Sequence, residues 1–220
     1  MSTVKQLDVF GDSWPAGGEL QHGDQYRFPD LLGILLNIKI ANHAESATSI
    51  DQAVYQFINQ YQHWNDGEHA VLFCLTDQAR AMYFDQVRDR EIHPAYSNHP
   101  PSTAYYKHIY TDKLGQFNQL KNILLVQELC RKKQIPIFFV CNWAEPIKHD
   151  HVEPQNFYPQ SLFEILGLTN PGTESSTNFF RDSNKQLKDC KYIMPNQCHP
   201  NIAGHELIAK TLSIWIKEKI

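Results

Sequence analysis

Two rhythms of apolar and polar positions alternate along this chain. Short continuous apolar runs read as strands, and stretches with apolar residues three or four apart read as helices. The first run, "VKQLDVF" (4–10), is β-prone and stops at Gly11, which predicts a strand. "FPDLLGILLN" (28–37) is Leu-rich with Pro29 near its start, as a helix N-terminus favours. "IKIAN" (38–42) reads as a short strand. From Ser49, a plausible N-cap, Ile50, Val54, Phe57, Ile58 and Tyr61 fall on one helical face. "AVLFCL" (70–75) is apolar throughout, the pattern of a strand covered on both faces.

The rhythm continues in the second half. Residues 112–133 read as a long helix with Leu114, Phe117, Leu120 and Leu124 on its apolar side. "IPIFFVCNW" (135–143) gives the strongest buried-strand signal, and "KYIM" (191–194) a weak one. From Asn201 the chain closes with a helix whose apolar positions include Leu207, Ile208, Leu212 and Trp215. Strand and helix thus alternate about five times, which favours a parallel sheet with helices on both faces. Ligands of such sheets gather at the carboxyl ends of the strands. Residues 78–111 and 144–190 break the pattern and read as inserts over those ends, within a single domain spanning 1–220.

Composition narrows the function classes. A net charge of −4 with dispersed basic residues argues against a nucleic-acid partner. No apolar run is long enough for a membrane span. The opening "MSTVKQLDVFGDS" lacks the pattern of a secretory signal, so the expected location is cytoplasmic or virion-associated. Five scattered cysteines (Cys74, Cys130, Cys141, Cys190 and Cys198) suit a reducing compartment.

Two features carry candidate chemistry. Ser13, in "FGDSWPAGG", follows the first strand directly and falls at the carboxyl edge of a parallel sheet. A serine there serves as a turn or cap residue, or as a nucleophile if a base lies within reach. His199, in "MPNQCHPNIAGHEL", sits between the weak strand and the closing helix, on a loop at the same edge. Either residue alone is a weak signal; together they suggest a nucleophile and its base.

"FGDSW" with "HPNIAGH" before a closing helix resembles the SGNH/GDSL hydrolases, through separated blocks spanning almost the whole chain. The resemblance implies an α/β, flavodoxin-like three-layer sandwich with a parallel five-stranded sheet, and hydrolysis of lipid, carbohydrate or small acyl esters. It implies Ser13 as nucleophile and His199 as base. It also implies an oxyanion hole with the Ser13 backbone N–H as one donor. A second backbone donor aligns with Ala44, or in another register Ala47, where the family has glycine. The third position, an asparagine in the family, falls on "CLTDQAR", where Thr76 or Asp77 stands; Thr76 keeps a donor. The usual aspartate three residues before the histidine is Asn196, which would fix the ring without charging it; Asp189 and Asp182 are alternatives.

The expected substrate is a small-molecule or carbohydrate ester, with no cofactor and no metal. A binding or assembly module on the same fold and an acyltransferase are the alternatives. "KHDHVE" (148–153) could bring His149 and His151 onto one face for a metal, but reads as a polar loop. Cys190, Cys198, His199 and His205 match no common zinc spacing. Trp14 walls the pocket or packs beneath the loop. Tyr96, His99, Tyr105 and Tyr106 could cover a substrate or pack on themselves.

Overall fold

In the computed structural model, residues 4–20, 24–84, 89–92, 99–143, 147–169, 187–195 and 198–220 are described. Among the described residues, four strands form the main sheet: β1 (Gln6–Phe10), β2 (Lys39–Asn42), β3 (His69–Leu75) and, beyond a small hairpin pair, β6 (Ile137–Cys141). Their order is β2-β1-β3-β6 and every pairing is parallel. The hairpin pair is β4 (Ala81–Phe84) with β5 (Asp89–Ile92), antiparallel and inside the first expected insert.

Alternation along β3 explains the layers, because successive side chains leave opposite faces of a strand. Ala70, Leu72 and Cys74 join the core beneath α2 (Phe28–Leu36) and the closing helix, which spans Ile202–Lys217. Val71, Phe73 and Leu75 join the core beneath α3 (Ile50–Tyr61) and α5 (Asp112–Lys132). Further helices among the described residues include α1 (Ser13–Ala16), α4 (Pro100–His108) and α6 (Leu162–Ile165); the closing helix is labelled α7.

Two sequence expectations shift. The buried face of α5 runs through Gly115, Gln119, Asn122, Ile123, Val126, Gln127 and Cys130, while Phe117 is 61% exposed. Polar residues hold that face because they have partners. Asn122 Nδ2 donates to Asp51 at 2.8 Å, and Gln127 bridges the His151 carbonyl and the Glu153 N–H. Of the expected apolar side, Leu120 and Leu124 do pack, partly buried, against that core, while Phe117 does not. Second, 191–194 does not supply a fifth ladder among the described residues. Ile193 makes one antiparallel bridge to Pro200, and Asn201 Nδ2 takes the Lys191 and Ile193 carbonyls at 2.8 and 3.3 Å. Those carbonyls serve the start of α7 instead of a sheet.

His205, buried on α7, ties that helix to α2. Its Nδ1 accepts the Phe28 N–H at 3.1 Å, capping a helix whose own N-cap residue, Arg27, offers no side-chain acceptor. Burial, with the positive charges of His199 and Arg27 adding to it, pushes the His205 pKa down from 6.5 to about 3. The folded state holds this ring neutral, so its contribution is full above about pH 6.5 and is lost as pH falls toward 3, at roughly 1.4 kcal/mol per unit. Urea midpoints taken from pH 7 to pH 4 are expected to show this slope in the wild type. His205→Gln, whose amide oxygen can still accept the Phe28 N–H, is expected to flatten it; identical slopes would assign the acid sensitivity elsewhere.

Candidate active site

The carboxyl ends of the four parallel strands converge on Asp12 and Ser13. Gly11 makes the exit from β1 possible: a Cβ there would lie 2.8 Å from Cys74 Cβ, on the neighbouring strand. Asp12 then caps α1 by accepting the Trp14 N–H at 3.1 Å, which fixes Ser13 at the first helical position. The helix stops after one turn at Gly17, which adopts φ +74°.

Asp12 is fully buried and accepts three further hydrogen bonds. They come from Thr76 Oγ1 at 2.7 Å, Arg80 Nη1 at 3.0 Å and Asn142 Nδ2 at 2.8 Å. Arg80 also donates to the Thr48 carbonyl at 3.2 Å, and its guanidinium lies 5.8 Å from the Trp143 ring. One carboxylate therefore joins the ends of β1, β3 and β6 to the loop after β2. A buried charge requires this degree of pairing.

His199 arrives from the other end of the chain. Its carbonyl accepts the Met194 N–H at 2.9 Å, and the next-but-one residue, Asn201, caps α7 by accepting the Gly204 N–H at 3.0 Å. The imidazole Nε2 lies 2.7 Å from Ser13 Oγ, across 186 positions of sequence. Its Nδ1 lies 2.7 Å from Glu19 Oε2. With Nε2 accepting from the serine hydroxyl, Nδ1 carries the ring hydrogen and its N–H donates a hydrogen bond to the carboxylate. Among the described residues, Ser13, His199 and Glu19 form one continuous line of hydrogen bonds.

Other expected site residues are placed differently. The Thr76 hydroxyl is committed to Asp12, which removes it as an oxyanion donor. The Ala44 N–H donates to Asn42 Oδ1 at 3.2 Å, so that donor is also engaged. Ala47, the alternative register, has φ +66°, the left-handed conformation glycine prefers. Among the described residues, neither its N–H nor that of Ser13 has an acceptor. Asp77 accepts the Ala79 N–H at 2.9 Å. Asp189 is exposed, and Asn196, Asp182 and Tyr96 lie outside the described residues.

The remaining candidates pack as structure. Trp14 is buried edge-on against Trp143, with ring centroids 6.4 Å apart. Tyr105, Tyr106 and Tyr110 cluster together, and Tyr106 donates to the Ala79 carbonyl at 2.7 Å. The His149 and His151 rings are 5.4 Å apart, and no metal-holding group of three or more His, Cys, Asp or Glu occurs among the described residues. No helix among them is long and apolar enough to cross a membrane. All five cysteines are free.

No protein-family model matches the sequence. No curated protein matches it either. Solved structures do. A lipolytic protein of the G-D-S-L family from Veillonella parvula DSM 2008 aligns at TM-score 0.52 and 13% identity, over 99% of this chain and all of that one. The psychrotrophic esterase EstA from Pseudoalteromonas sp., inhibited by monoethylphosphonate, aligns at 0.51 and 12%, over 97% of each chain. The acetyl xylan esterase Est2A from Butyrivibrio proteoclasticus aligns at 0.51 and 11%, over 98% of this chain and 64% of that one. The chain has the SGNH/GDSL-hydrolase fold.

Within the SGNH/GDSL-hydrolase fold, sequence reasoning missed Glu19, Arg80 and Asn142. Arg80 and Asn142 carry no motif; only the need to satisfy a buried Asp12 points to them. Glu19 has one local signal: it follows two glycines in the turn that opens at Ser13.

Proposed function

We propose that the chain is a serine-dependent carboxylester hydrolase, with Ser13 as nucleophile and His199 as base. The observation that carries this is the 2.7 Å approach of His199 Nε2 to Ser13 Oγ at the carboxyl edge of the sheet. A hydroxyl is a weak nucleophile until a base within hydrogen-bond reach accepts its proton. In the proposed reaction Ser13 Oγ attacks the acyl carbon as His199 takes the proton. The carbonyl oxygen becomes an oxyanion facing the Ser13 and Ala47 N–H groups. The tetrahedral intermediate collapses, and His199 returns the proton to the departing alcohol. Water then attacks the acyl-serine with His199 again as base, releasing the acid and restoring Ser13. The substrate we favour is a short-chain ester of a carbohydrate. Supporting this, His43, Glu45, Gln56 and Asn59 line a polar groove beside the loop of Ala44, and one neighbour is named as an acetyl xylan esterase.

A fluorophosphonate probe tests the nucleophile, because it phosphonylates a serine only when a base activates it. Labelling of the wild type is expected, and none of Ser13→Ala. A wild type that stays unlabelled, with no hydrolysis of p-nitrophenyl acetate, overturns the esterase reading.

A further inference from the structure

We propose that Glu19, carried on the same turn as the nucleophile, is the carboxylate that positions His199 and balances its charge during turnover. This deepens the Ser13–His199 reading and rests on it. The family resemblance assigns that task to the position three residues before the histidine, and here that residue, Asn196, bears no charge.

Three observations support Glu19. The first is the pair of contacts: Ser13 Oγ and Glu19 Oε2 each lie 2.7 Å from their own ring nitrogen of His199. A carboxylate only accepts, so it selects the tautomer whose Nε2 is free to take the serine proton. It also stabilises the imidazolium that then forms.

The second is the backbone. Glu19 adopts φ +69°, a conformation in which a Cβ crowds the following carbonyl and which glycine occupies freely. The chain has glycine at 17 and 18 but glutamate at 19. A strained conformation retained at a side chain that reaches a reactive group points to use of that side chain. Gly18 leaves room for the approach: a Cβ there would sit tightly, 3.1 Å from Ser13 Cβ, and touch His199 Cδ2 at 3.4 Å.

The third is the alternative partner. Cys198 Sγ lies 3.8 Å from His199 Nδ1. Burial, reinforced by the negative charges of Glu19 and Asp12, pushes that thiol up to about 11, so it is neutral where esterases work. It cannot balance an imidazolium. Among the described residues, Glu19, 39% exposed on its side chain, is the carboxylate in contact with the ring.

The test uses the full chain and three variants. Glu19→Gln is expected to lower kcat on p-nitrophenyl acetate by about 10²–10⁴-fold with KM little changed, since the wrong tautomer disables chemistry, not binding. Glu19→Gly is expected to lose kcat similarly while its melting temperature rises by roughly a few degrees, because the left-handed strain is relieved. Proton NMR supplies a readout independent of turnover: a downfield imidazole Nδ1–H resonance in wild type and Ser13→Ala, absent from Glu19→Gln. If Glu19→Gln keeps near-wild-type kcat and the resonance, Glu19 is not the positioning residue, while Ser13-dependent labelling would leave the esterase reading intact. If the resonance behaves as expected but nothing labels, the contact stands and the esterase reading falls.

Discussion

His199→Ala is expected to reduce ester turnover by on the order of 10⁴–10⁶-fold while leaving the protein folded. The size of the effect follows from cooperation. In the proposed reaction a serine without its base stays protonated, so losing His199 forfeits nearly everything the pair achieves together. What survives comes from the oxyanion donors and from binding. The fold should tolerate the change because the imidazole contacts side chains of the turn at 13–19, whereas the local backbone is held by the Met194 and Asn201 hydrogen bonds. Steady-state kinetics beside a thermal melt check both halves. Turnover within tenfold of wild type would mean that some other group deprotonates Ser13.

Asp12→Ala is expected to be the most destabilising single change at this edge of the sheet. It leaves Arg80 buried without its counter-ion and strips acceptors from Thr76, Asn142 and the Trp14 N–H. Removing one member of a buried pair costs about 3–5 kcal/mol, more than the intact pair contributes relative to apolar replacements. For a chain of this size that is a fall in melting temperature of roughly 6–20 °C. The double variant Asp12→Ala/Arg80→Met should recover part of the loss, since the stranded guanidinium is then gone. Chemical denaturation of the two singles and the double measures the coupling. A double variant as unstable as the sum of the singles would show that the ion pair is not the source of the cost.

The parts of the site that the sequence makes legible are those marked by punctuation. Ser13 stands where a strand gives way to Pro and Gly, and His199 where Pro200 and Asn201 open a helix. In a parallel sheet, both signals locate residues at the same edge. Asp12, Arg80 and Asn142 are linked through burial, which has no spacing of its own. Glu19 reaches His199 over 180 positions and depends on a left-handed backbone that no composition rule anticipates at glutamate. The same limit applies to α5, where Asn122 and Gln127 occupy buried positions because of partners on other elements. It applies again at 191–194, where a β-prone stretch gives its carbonyls to Asn201 rather than to a neighbouring strand.

The closing helix unites two duties. Through His205 it completes the start of α2, and through the loop ahead of it, it delivers His199 to Ser13. Detachment of α7 would leave Ser13 and Glu19 in place but part both from His199, and the first turn of α2 would lose its cap in the same event.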